Sequence, residues 1–518
     1  MDVGYMSKKI YNYVRKNIFS IIISASFVLA VYGIKLCVPS TSIDNEAVIS
    51  VRESIYSAWL SMGRIGLVGL KRIMGMYIYN PIFSMMLLVF GMIVSSVIWG
   101  MIFDSVTPKD TKHRLNPWIF STVLFTAPII AEQFGFVMQA VEVLIAMDLC
   151  GIGLYFFFRY FSRDKKIIYL LLNIILSALV FSVYQALTTV YVTAAVGMFI
   201  LYISQKQTSE RPGVEIWGML ITLVISFFVA YFLYSVTSKF VMVYRGIEVT
   251  DYTMGQVLWK TNSIRECITF LLEYIKGVVM GKSIFYSVSY SALVILMSLM
   301  CLLKKGSDFD GKYYLYVLAH ITLFVTPFLM GIILGGAPSN RTVLSMPFML
   351  AFGYMYLYYR FCECTDNRKI LVLAALVIAT VPFNQASESS RLYYTEYISN
   401  KEQEMVATKL SYRIEEVTGQ YAPGNPVVFI GTLELQRNPS CYTNEDLELV
   451  GRGFFEVSFS SSHGTFLNIN YMKTLGISYV MPSDEQVNIA ENAAKDMPCW
   501  PSKGSVKEVD GVVVVKFS

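Results

Sequence analysis

Charged residues are scarce in this chain: only 15% of its 518 residues are Asp, Glu, Lys or Arg, while 55% are hydrophobic. This balance excludes an ordinary soluble protein, and the mean hydropathy of +0.52 indicates a membrane protein. The net charge of +5 is small, and no Lys- or Arg-rich block contains interleaved aromatic residues. Nucleic acid is therefore not an expected partner.

Several familiar motifs are also missing. The sequence has no Gly-rich phosphate loop after a strand, no His-x-x-x-His pair and no Gly-x-Ser-x-Gly, which leaves soluble-type nucleotide, zinc and serine-hydrolase chemistries without support. The two halves of the chain also lack the matched pair of interrupted helices that would indicate an inverted-repeat transporter. The N-terminal apolar run follows basic residues, but no Ala-x-Ala site comes after it, so we expect it to be retained as a membrane span.

What is present is a series of apolar runs separated by short polar loops. They predict a mainly α-helical, polytopic bundle of about eleven transmembrane helices. The predicted spans are 18–36, 79–103, 117–131, 137–160, 167–184, 186–203, 214–236, 284–303, 313–334, 342–360 and 370–385.

After Gln385 the composition becomes that of a soluble protein, which predicts a membrane domain at 1–385 and a second domain at 386–518. Strand-like runs occur at 426–431, 476–481 and 510–517, and the Asp-Gly turn in "KEVDGVVVV" indicates a hairpin. Residues 484–497 read as a helix. We expect a small α+β domain.

Lysine and arginine are concentrated in the short loops on one side of the predicted bundle, for example "MSKKIYNYVRKN" and "RYFSRDKK". The positive-inside rule makes that side cytoplasmic, so the C-terminal domain is expected to face outward. A disulfide between Cys441 and Cys499 is possible on the outward side, whereas Cys362 and Cys364 are read as cytoplasmic free thiols.

Two segments on the outer side have amphipathic periodicity. One lies near 48–72 and the other near 259–282, and each places apolar residues at three- and four-residue steps opposite a polar stripe. We expect two helices lying along the outer membrane surface. Short connecting helices with a solvated face are the alternative.

The first of these segments follows an acidic pair, Asp44 and Glu46. In extended backbone, residues two apart point to the same side, so both carboxylates could converge on one site. A partly desolvated carboxylate has a raised proton affinity and suits a general base that deprotonates a hydroxyl. The alternative is a solvated loop whose acids help to cap the following helix.

Cations near the outer ends of the spans are candidates for binding a lipid phosphate. Arg341, in "GGAPSNR", and Arg64, on the polar face of the first surface segment, could make charge-assisted hydrogen bonds to a phosphodiester. Lys282 and Lys260 are weaker candidates. Each of these side chains could instead anchor a helix end at the membrane surface.

Further polar residues lie in predicted outer turns and could contact a sugar or an acceptor: Glu132, Gln133, Tyr184 and Gln185. Such residues often satisfy helix ends instead. His320, within a span, is expected to be a packed core histidine rather than a proton relay.

Four stretches together resemble the type II glucosyl transferases, a phage-linked family that alters bacterial O-antigen. They are "SIDNEAVISVRESIYSAWLSMGRIGLVGLKRI", "SVYQA", "GAPSNRTVLSMPFMLAFGY" and the tail from "PVVFIG" to "DGVVVVKF". The acids of the family's first outer loop match Asp44 and Glu46. The family often has a bulkier residue, commonly Trp, after its Gly-Arg, where this chain has Ile65.

The resemblance implies a membrane glycosyltransferase of the GT-C kind with a periplasmic active site. Such enzymes move a sugar, usually glucose in this family, from a polyprenyl phosphate sugar donor to a polysaccharide hydroxyl with inversion. A partner flippase and an enzyme that makes the donor would accompany it. No cofactor is required; a divalent metal at the Asp-x-Glu pair is possible but not expected.

Two other readings stay open at this stage. A flippase or transporter of a lipid-linked sugar would account for the spans and the arginines, but less easily for the outward acids and the soluble tail. An O-antigen polymerase or ligase would have one long periplasmic loop between spans rather than a terminal domain.

Overall fold

The computed structural model describes residues 3–107, 115–162, 165–204, 213–248, 255–303, 313–421 and 423–518. In this part of the chain the protein is mainly helical, as predicted. The first eleven helices are α1 (Val3–Lys16), α2 (Ile18–Cys37), α3 (Asn45–Ser50), α4 (Arg52–Ser61), α5 (Ile65–Ile73), α6 (Pro81–Val106), α7 (Pro117–Thr126), α8 (Pro128–Gly135), α9 (Val137–Ser162), α10 (Ile167–Val183) and α11 (Leu187–Ile203).

The remaining elements are α12 (Gly213–Arg245), α13 (Ile264–Met280), α14 (Ser289–Leu303), α15 (Tyr313–Val325), α16 (Leu329–Leu334), α17 (Ser345–Cys364), α18 (Arg368–Thr418), β1 (Val427–Ile430), α19 (Ser461–Thr474), α20 (Asp484–Ala494), β2 (Val506–Val509) and β3 (Val512–Lys516).

Six helical segments in the described residues are long and apolar enough to cross a membrane, which confirms a membrane protein. They include Ile18–Cys37 at the N-terminal end and Arg368–Thr418, and four shorter apolar helices occupy other predicted spans. The count of about eleven spans and the orientation of the bundle stay predictions.

Several helices depart from the predicted spans, and two of these departures matter most for the site. Residues 117–131 are divided between α7 and α8, because the chain turns extended at Ala127, immediately before Pro128. Helix α18 does not end near Gln385: it continues to Thr418 and contains Pro382 in its interior. The change to a soluble composition therefore occurs inside one continuous helix.

The chain divides into two compact units. The first unit consists of residues 1–33, 58–134 and 139–389, and the second of residues 34–57, 135–138 and 390–518. The acidic pair thus belongs with the C-terminal residues rather than with the helical bundle that follows it in sequence. A simple division at 385/386 could not have included that segment.

A buried ion pair holds residues 34–57 within the second unit. Lys35 Nζ lies 2.7 Å from Glu396 Oε2, and both side chains are nearly inaccessible to solvent. Lys35 also lies against the ring of Tyr393, 4.7 Å from its centroid. Ser42 Oγ donates a hydrogen bond of 3.0 Å to the carbonyl oxygen of Gly135, which joins a third segment to the same unit.

The prediction of one amphipathic helix near 48–72 is wrong. Helices α3, α4 and α5 replace it, with non-helical backbone at Val51 and a left-handed glycine at Gly63. Periodicity shows which residues share a helix face, but it does not show where a helix ends. Here α4 ends just before Gly63, whose φ of 78° is accessible mainly to glycine.

The second amphipathic segment contains one continuous helix, α13. Ser263 and Glu266 form a capping box at its start, and Gly281, with φ of 62°, ends it. These caps lie in the local sequence and confine the helix to the predicted segment.

The second unit contains a three-stranded sheet in the order β1-β3-β2. Strand β3 pairs in parallel with β1 and in antiparallel with β2. Asp510 and Gly511 both have positive φ between β2 and β3, as expected for the predicted Asp-Gly hairpin. The predicted strand at 476–481 is wrong: Val480 makes only an isolated bridge with Pro426.

Alternation along these strands separates two cores. One side of the sheet contributes Phe429, Val513 and Val515 to a large cluster, and the other side packs Val514 against α20. Ile43 belongs to the large cluster, together with residues of α18 and α19. The residue before Asp44 is therefore held by the hydrophobic core of the second unit.

Candidate active site

Asp44 has an unusual backbone conformation for a residue other than glycine. Its φ of 75° and ψ of −21° are left-handed, and it stands at the N-cap of α3. Asp and Asn tolerate this region better than other residues, at a cost of about 1 kcal/mol. The expected extended backbone at 44–46 is therefore wrong, since Asp44 turns the chain directly into a helix.

The two acids are nevertheless electrostatically coupled, although their environments differ. Glu46, in the first turn of α3, is only 1% exposed, while Asp44 is half-buried. Burial, followed by the negative charge of Asp44, raises the pKa of Glu46 well above its usual value, although backbone N–H groups oppose the shift. Glu46 therefore keeps its proton to a higher pH than an exposed glutamate.

Helix α3 lies beside α19, and the two helices run in the same direction. At their far ends, Ser50 Oγ donates a hydrogen bond of 3.1 Å to the carbonyl oxygen of Asn470, and Lys473 Nζ donates one of 3.2 Å to the carbonyl oxygen of Ser50. At their near ends, the negative charge of Asp44 acts to raise the pKa of His463, which lies in the first turn of α19. These contacts hold the acidic pair against a helix more than 400 residues away in sequence.

His463 is a residue of this site that sequence reasoning missed. Burial lowers its pKa, and the nearby negative charge of Asp44 raises it by less. A neutral imidazole beside a carboxylate can accept or donate a hydrogen bond. The signal was weak, because a lone histidine in the serine-rich run "SFSSSHG" matches no spacing motif.

The first unit contains the other main candidates, and Arg64 is the best connected of them. Arg64 immediately precedes α5, is half-buried, and donates a hydrogen bond of 3.2 Å to Gln139 Oε1 of α9. Its guanidinium group lies 4.9 Å from the ring centroid of Tyr184. The structure thus brings together two predicted residues, Arg64 and Tyr184, and adds Gln139, which was not predicted.

Gln185 lies in the turn between α10 and α11 and contacts the backbone just before Arg64. Its amide nitrogen donates hydrogen bonds to the carbonyl oxygen of Met62 and, at 2.9 Å, to Tyr234 of α12. Gln185 therefore orients the backbone just before Arg64. These hydrogen bonds give Gln185 a structural role, which was the alternative to sugar binding for the polar residues in the predicted outer turns.

Helix α5 packs closely enough to place Arg64 precisely. A Cβ atom on Gly66 would lie 2.3 Å from Ser182 Oγ of α10, so only glycine permits this approach. Two turns after Arg64, Lys71 forms a buried ion pair with Glu142 at 2.9 Å. Gln139 and Glu142 are one turn apart on α9, so α5 and α9 meet through two matched polar contacts.

Glu132 and Gln133 are not in a turn, which corrects the sequence-based placement. Both lie within α8 and are fully buried, with 0% exposure. The helix continues through them to Gly135 because nothing before that glycine interrupts it. Neither side chain is accessible to a sugar in this conformation, so their predicted role has no geometric support.

The other candidate cations, Arg341, Lys282 and Lys260, differ in how far their side chains are exposed to solvent. Arg341 is half-buried in the short 3-10 turn Asn340–Thr342, and Lys282, just after α13, is exposed, as is Lys260. Neighbouring Asn340 accepts a hydrogen bond from Tyr286. The lysines have the exposure expected of membrane-surface anchors, which leaves the arginines as the stronger candidates for binding an anion.

His320 and the cysteines have structural environments. His320 is 2% exposed, and its Nδ1 donates a hydrogen bond of 2.8 Å to the carbonyl oxygen of Tyr316. Its imidazole also packs on the Tyr316 ring, as expected of a core histidine. Cys441 is buried and Cys499 exposed, and both are free thiols. The described residues assemble no group of three or more His, Cys, Asp or Glu side chains that could hold a metal ion.

Comparison with known proteins identifies the family. The sequence profile of the glucosyl transferase GtrII family matches residues 33–358, which is more than half of the chain. The match includes Asp44, Glu46, Arg64 and Arg341. No curated protein and no solved structure gave a significant match. The chain therefore belongs to the GtrII glucosyl transferase family, as the resemblance of its sequence predicted.

Proposed function

We propose that the protein transfers glucose from a polyprenyl phosphate donor to a hydroxyl group of O-antigen or a related surface polysaccharide, on the periplasmic side of the bacterial inner membrane. Family membership supports glucosyl transfer, and the apolar helices support a lipid-linked donor. The observation that carries the proposal is the coupled pair of acids, Asp44 and Glu46, held at the start of α3.

Asp44 is the general base of this reaction. It is half-buried and can reach a hydroxyl group, whereas Glu46 is 1% exposed and cannot do so without movement. The acceptor hydroxyl gives its proton to the Asp44 carboxylate while its oxygen attacks the anomeric carbon. The bond from that carbon to the phosphate oxygen breaks, and polyprenyl phosphate leaves with the electron pair.

Attack from the side opposite the phosphate inverts the anomeric carbon, which needs one carboxylate base rather than a covalent intermediate. Glu46 supports the base. With a raised pKa it retains a proton, so the pair has a single negative charge over a wider pH range.

Arg64 is the preferred contact for the donor phosphate. Its guanidinium group is oriented by Gln139 and by the ring of Tyr184, and a preorganised arginine binds phosphate through two parallel hydrogen bonds. Arg341 is the second candidate for this role. The donor is a phosphodiester and the departing polyprenyl phosphate is a good leaving group, so the proposal requires no metal ion.

The decisive experiment uses the purified full-length protein in detergent. Radiolabelled glucose on polyprenyl phosphate should move to the polysaccharide, with release of polyprenyl phosphate. Movement of the intact lipid-linked sugar across vesicles, without a new glycosidic bond, would indicate a flippase. Lengthening or en bloc transfer of the polysaccharide would indicate a polymerase or ligase.

A further inference from the structure

The loop before α19, the helix that packs against α3, presents an aromatic ring to solvent. Phe459 is 84% exposed, and its ring centroid lies 5.0 Å from that of His463. Burying a phenylalanine normally stabilises a folded protein, so the exposure of this ring leaves its apolar face available to a ligand. The same His463 interacts with Asp44.

The loop that carries Phe459 is held in place. Ser460 Oγ accepts a hydrogen bond of 3.2 Å from the backbone N–H of His463, and Ser458 Oγ donates one of 2.9 Å to the carbonyl oxygen of Ser460. A Cβ atom on Gly464 would lie 2.8 Å from Ser458 Oγ, so a larger residue there would require the Ser458 side chain to move. A ring held in this way binds without a further loss of loop entropy.

Unsatisfied polar atoms occur on α3 and at the start of α19. Within the described part of the chain, Glu46 Oε2 and His463 Nδ1 are buried without hydrogen-bond partners. Asn45 is 1% exposed; its Nδ2 donates to Ser42 Oγ at 2.7 Å, but its Oδ1 also has no partner among these residues. Buried polar atoms of this kind are costly and are more readily explained at a functional site than elsewhere.

We propose that Phe459 and His463 form the binding platform for the acceptor saccharide, with the sugar ring stacked on Phe459 next to Asp44. This inference rests on the proposed function, to which it adds the acceptor site. The C–H face of a pyranose packs on an aromatic ring, while its hydroxyl groups need polar partners around the edge. Serines at 458, 460, 461 and 462 are neighbours of Phe459 in the sequence and supply hydroxyl groups of the required kind.

The polar surroundings favour a saccharide over a lipid chain. An aromatic residue that inserts into a bilayer is normally accompanied by other apolar residues and by basic ones. Phe459 instead has serine on both sides in the sequence, and its ring contacts His463, on which the charge of Asp44 acts. His463 acts here as a positioning residue that supports the ring and faces the base.

Steady-state transfer by the full-length protein tests this inference, with acceptor and donor varied separately. Phe459→Ala should raise the acceptor KM about tenfold, leave kcat within about twofold and leave the donor KM unchanged. Phe459→Trp should restore most of the affinity because it keeps an aromatic face. His463→Gln, which keeps a hydrogen-bonding group, should affect the acceptor KM less than His463→Ala.

Tyr412→Ala is the matched control, since Tyr412 is another aromatic residue of the second unit and is 64% exposed. It should not change either KM. An unchanged acceptor KM for Phe459→Ala would overturn the inference, and so would a rise in the donor KM alone, which would assign the ring to the lipid. If the unmodified protein transfers no glucose at all, the proposed function fails instead.

Discussion

Lys71 of α5 and Glu142 of α9 form an ion pair that is sealed from solvent: Nζ lies 2.9 Å from Oε1, and the side chains are 1% and 0% exposed. The ring of Trp59 lies 5.8 Å from the same ammonium group. One turn earlier on α9, Gln139 contacts Arg64. The ion pair therefore sets the register of the two helices that orient Arg64.

Removing one partner of this pair should destabilise the first unit. Glu142→Ala leaves a buried ammonium without its counter-charge, and we expect a loss of about 3–5 kcal/mol in the free energy of unfolding. The double variant Lys71→Met with Glu142→Leu should lose much less, since no charge remains buried. Thermal unfolding in detergent, followed by size-exclusion chromatography, measures both. Equal melting temperatures for Glu142→Ala and the unmodified protein would contradict this role.

The acidic pair should control transfer. Asp44→Asn keeps the shape of the side chain but cannot accept the hydroxyl proton, so kcat should fall by roughly a hundred- to ten-thousand-fold. Glu46→Gln should have a smaller effect, because Glu46 is buried and supports the base. Asp510→Asn, at the other positive-φ aspartate, is the control and should remain active. Near-normal transfer by both acidic-pair variants would remove the assigned base.

Glu46 should also make stability depend on pH. Its pKa is raised in the folded protein, so the folded state binds more protons than the unfolded state once the pH exceeds the usual glutamate pKa. Stability should therefore decrease as the pH rises through the interval between the unfolded and the folded pKa. In Glu46→Gln that decrease should be smaller, and the melting temperature at neutral pH should be higher. Parallel pH profiles for the two proteins would contradict the raised pKa.

Arg64 should act on the donor rather than on the acceptor. Arg64→Ala removes a guanidinium group that Gln139 and Tyr184 orient, and we expect the donor kcat/KM to fall about tenfold or more. Arg64→Lys should recover only part of this, since lysine lacks the planar fork. Lys276→Ala, at an exposed lysine of α13, serves as the control. A rise in the acceptor KM alone would reassign Arg64.

The orientation of the chain can be tested directly. The distribution of lysine and arginine among the short loops predicts a cytoplasmic N-terminus and a periplasmic C-terminus. Alkaline phosphatase fused after Ser518 should therefore be active in cells. A stable but inactive fusion would reverse the predicted orientation.

Properties that depend on local sequence were predicted well. Apolar runs of membrane length identified the helical membrane protein, and short motifs identified the family. The Asp-Gly hairpin, strand β1 and helix α20 also follow from turn residues, alternation and capping, which act over a few residues. The break at Gly63 was readable in principle, since glycine is the residue that a left-handed position favours.

The site itself depends on distant contacts that no local pattern specifies. By itself, the sequence determined that this is a helical membrane protein of a glucosyl transferase family with an acidic pair after its first span. Only the tertiary structure decided that Ile43 packs in the C-terminal core, that Glu46 is buried and that His463 lies beside Asp44. The physical reason is that burial and the pairing of charges depend on which segments pack together, and residues 34–57 pack with segments that lie hundreds of positions later in the chain.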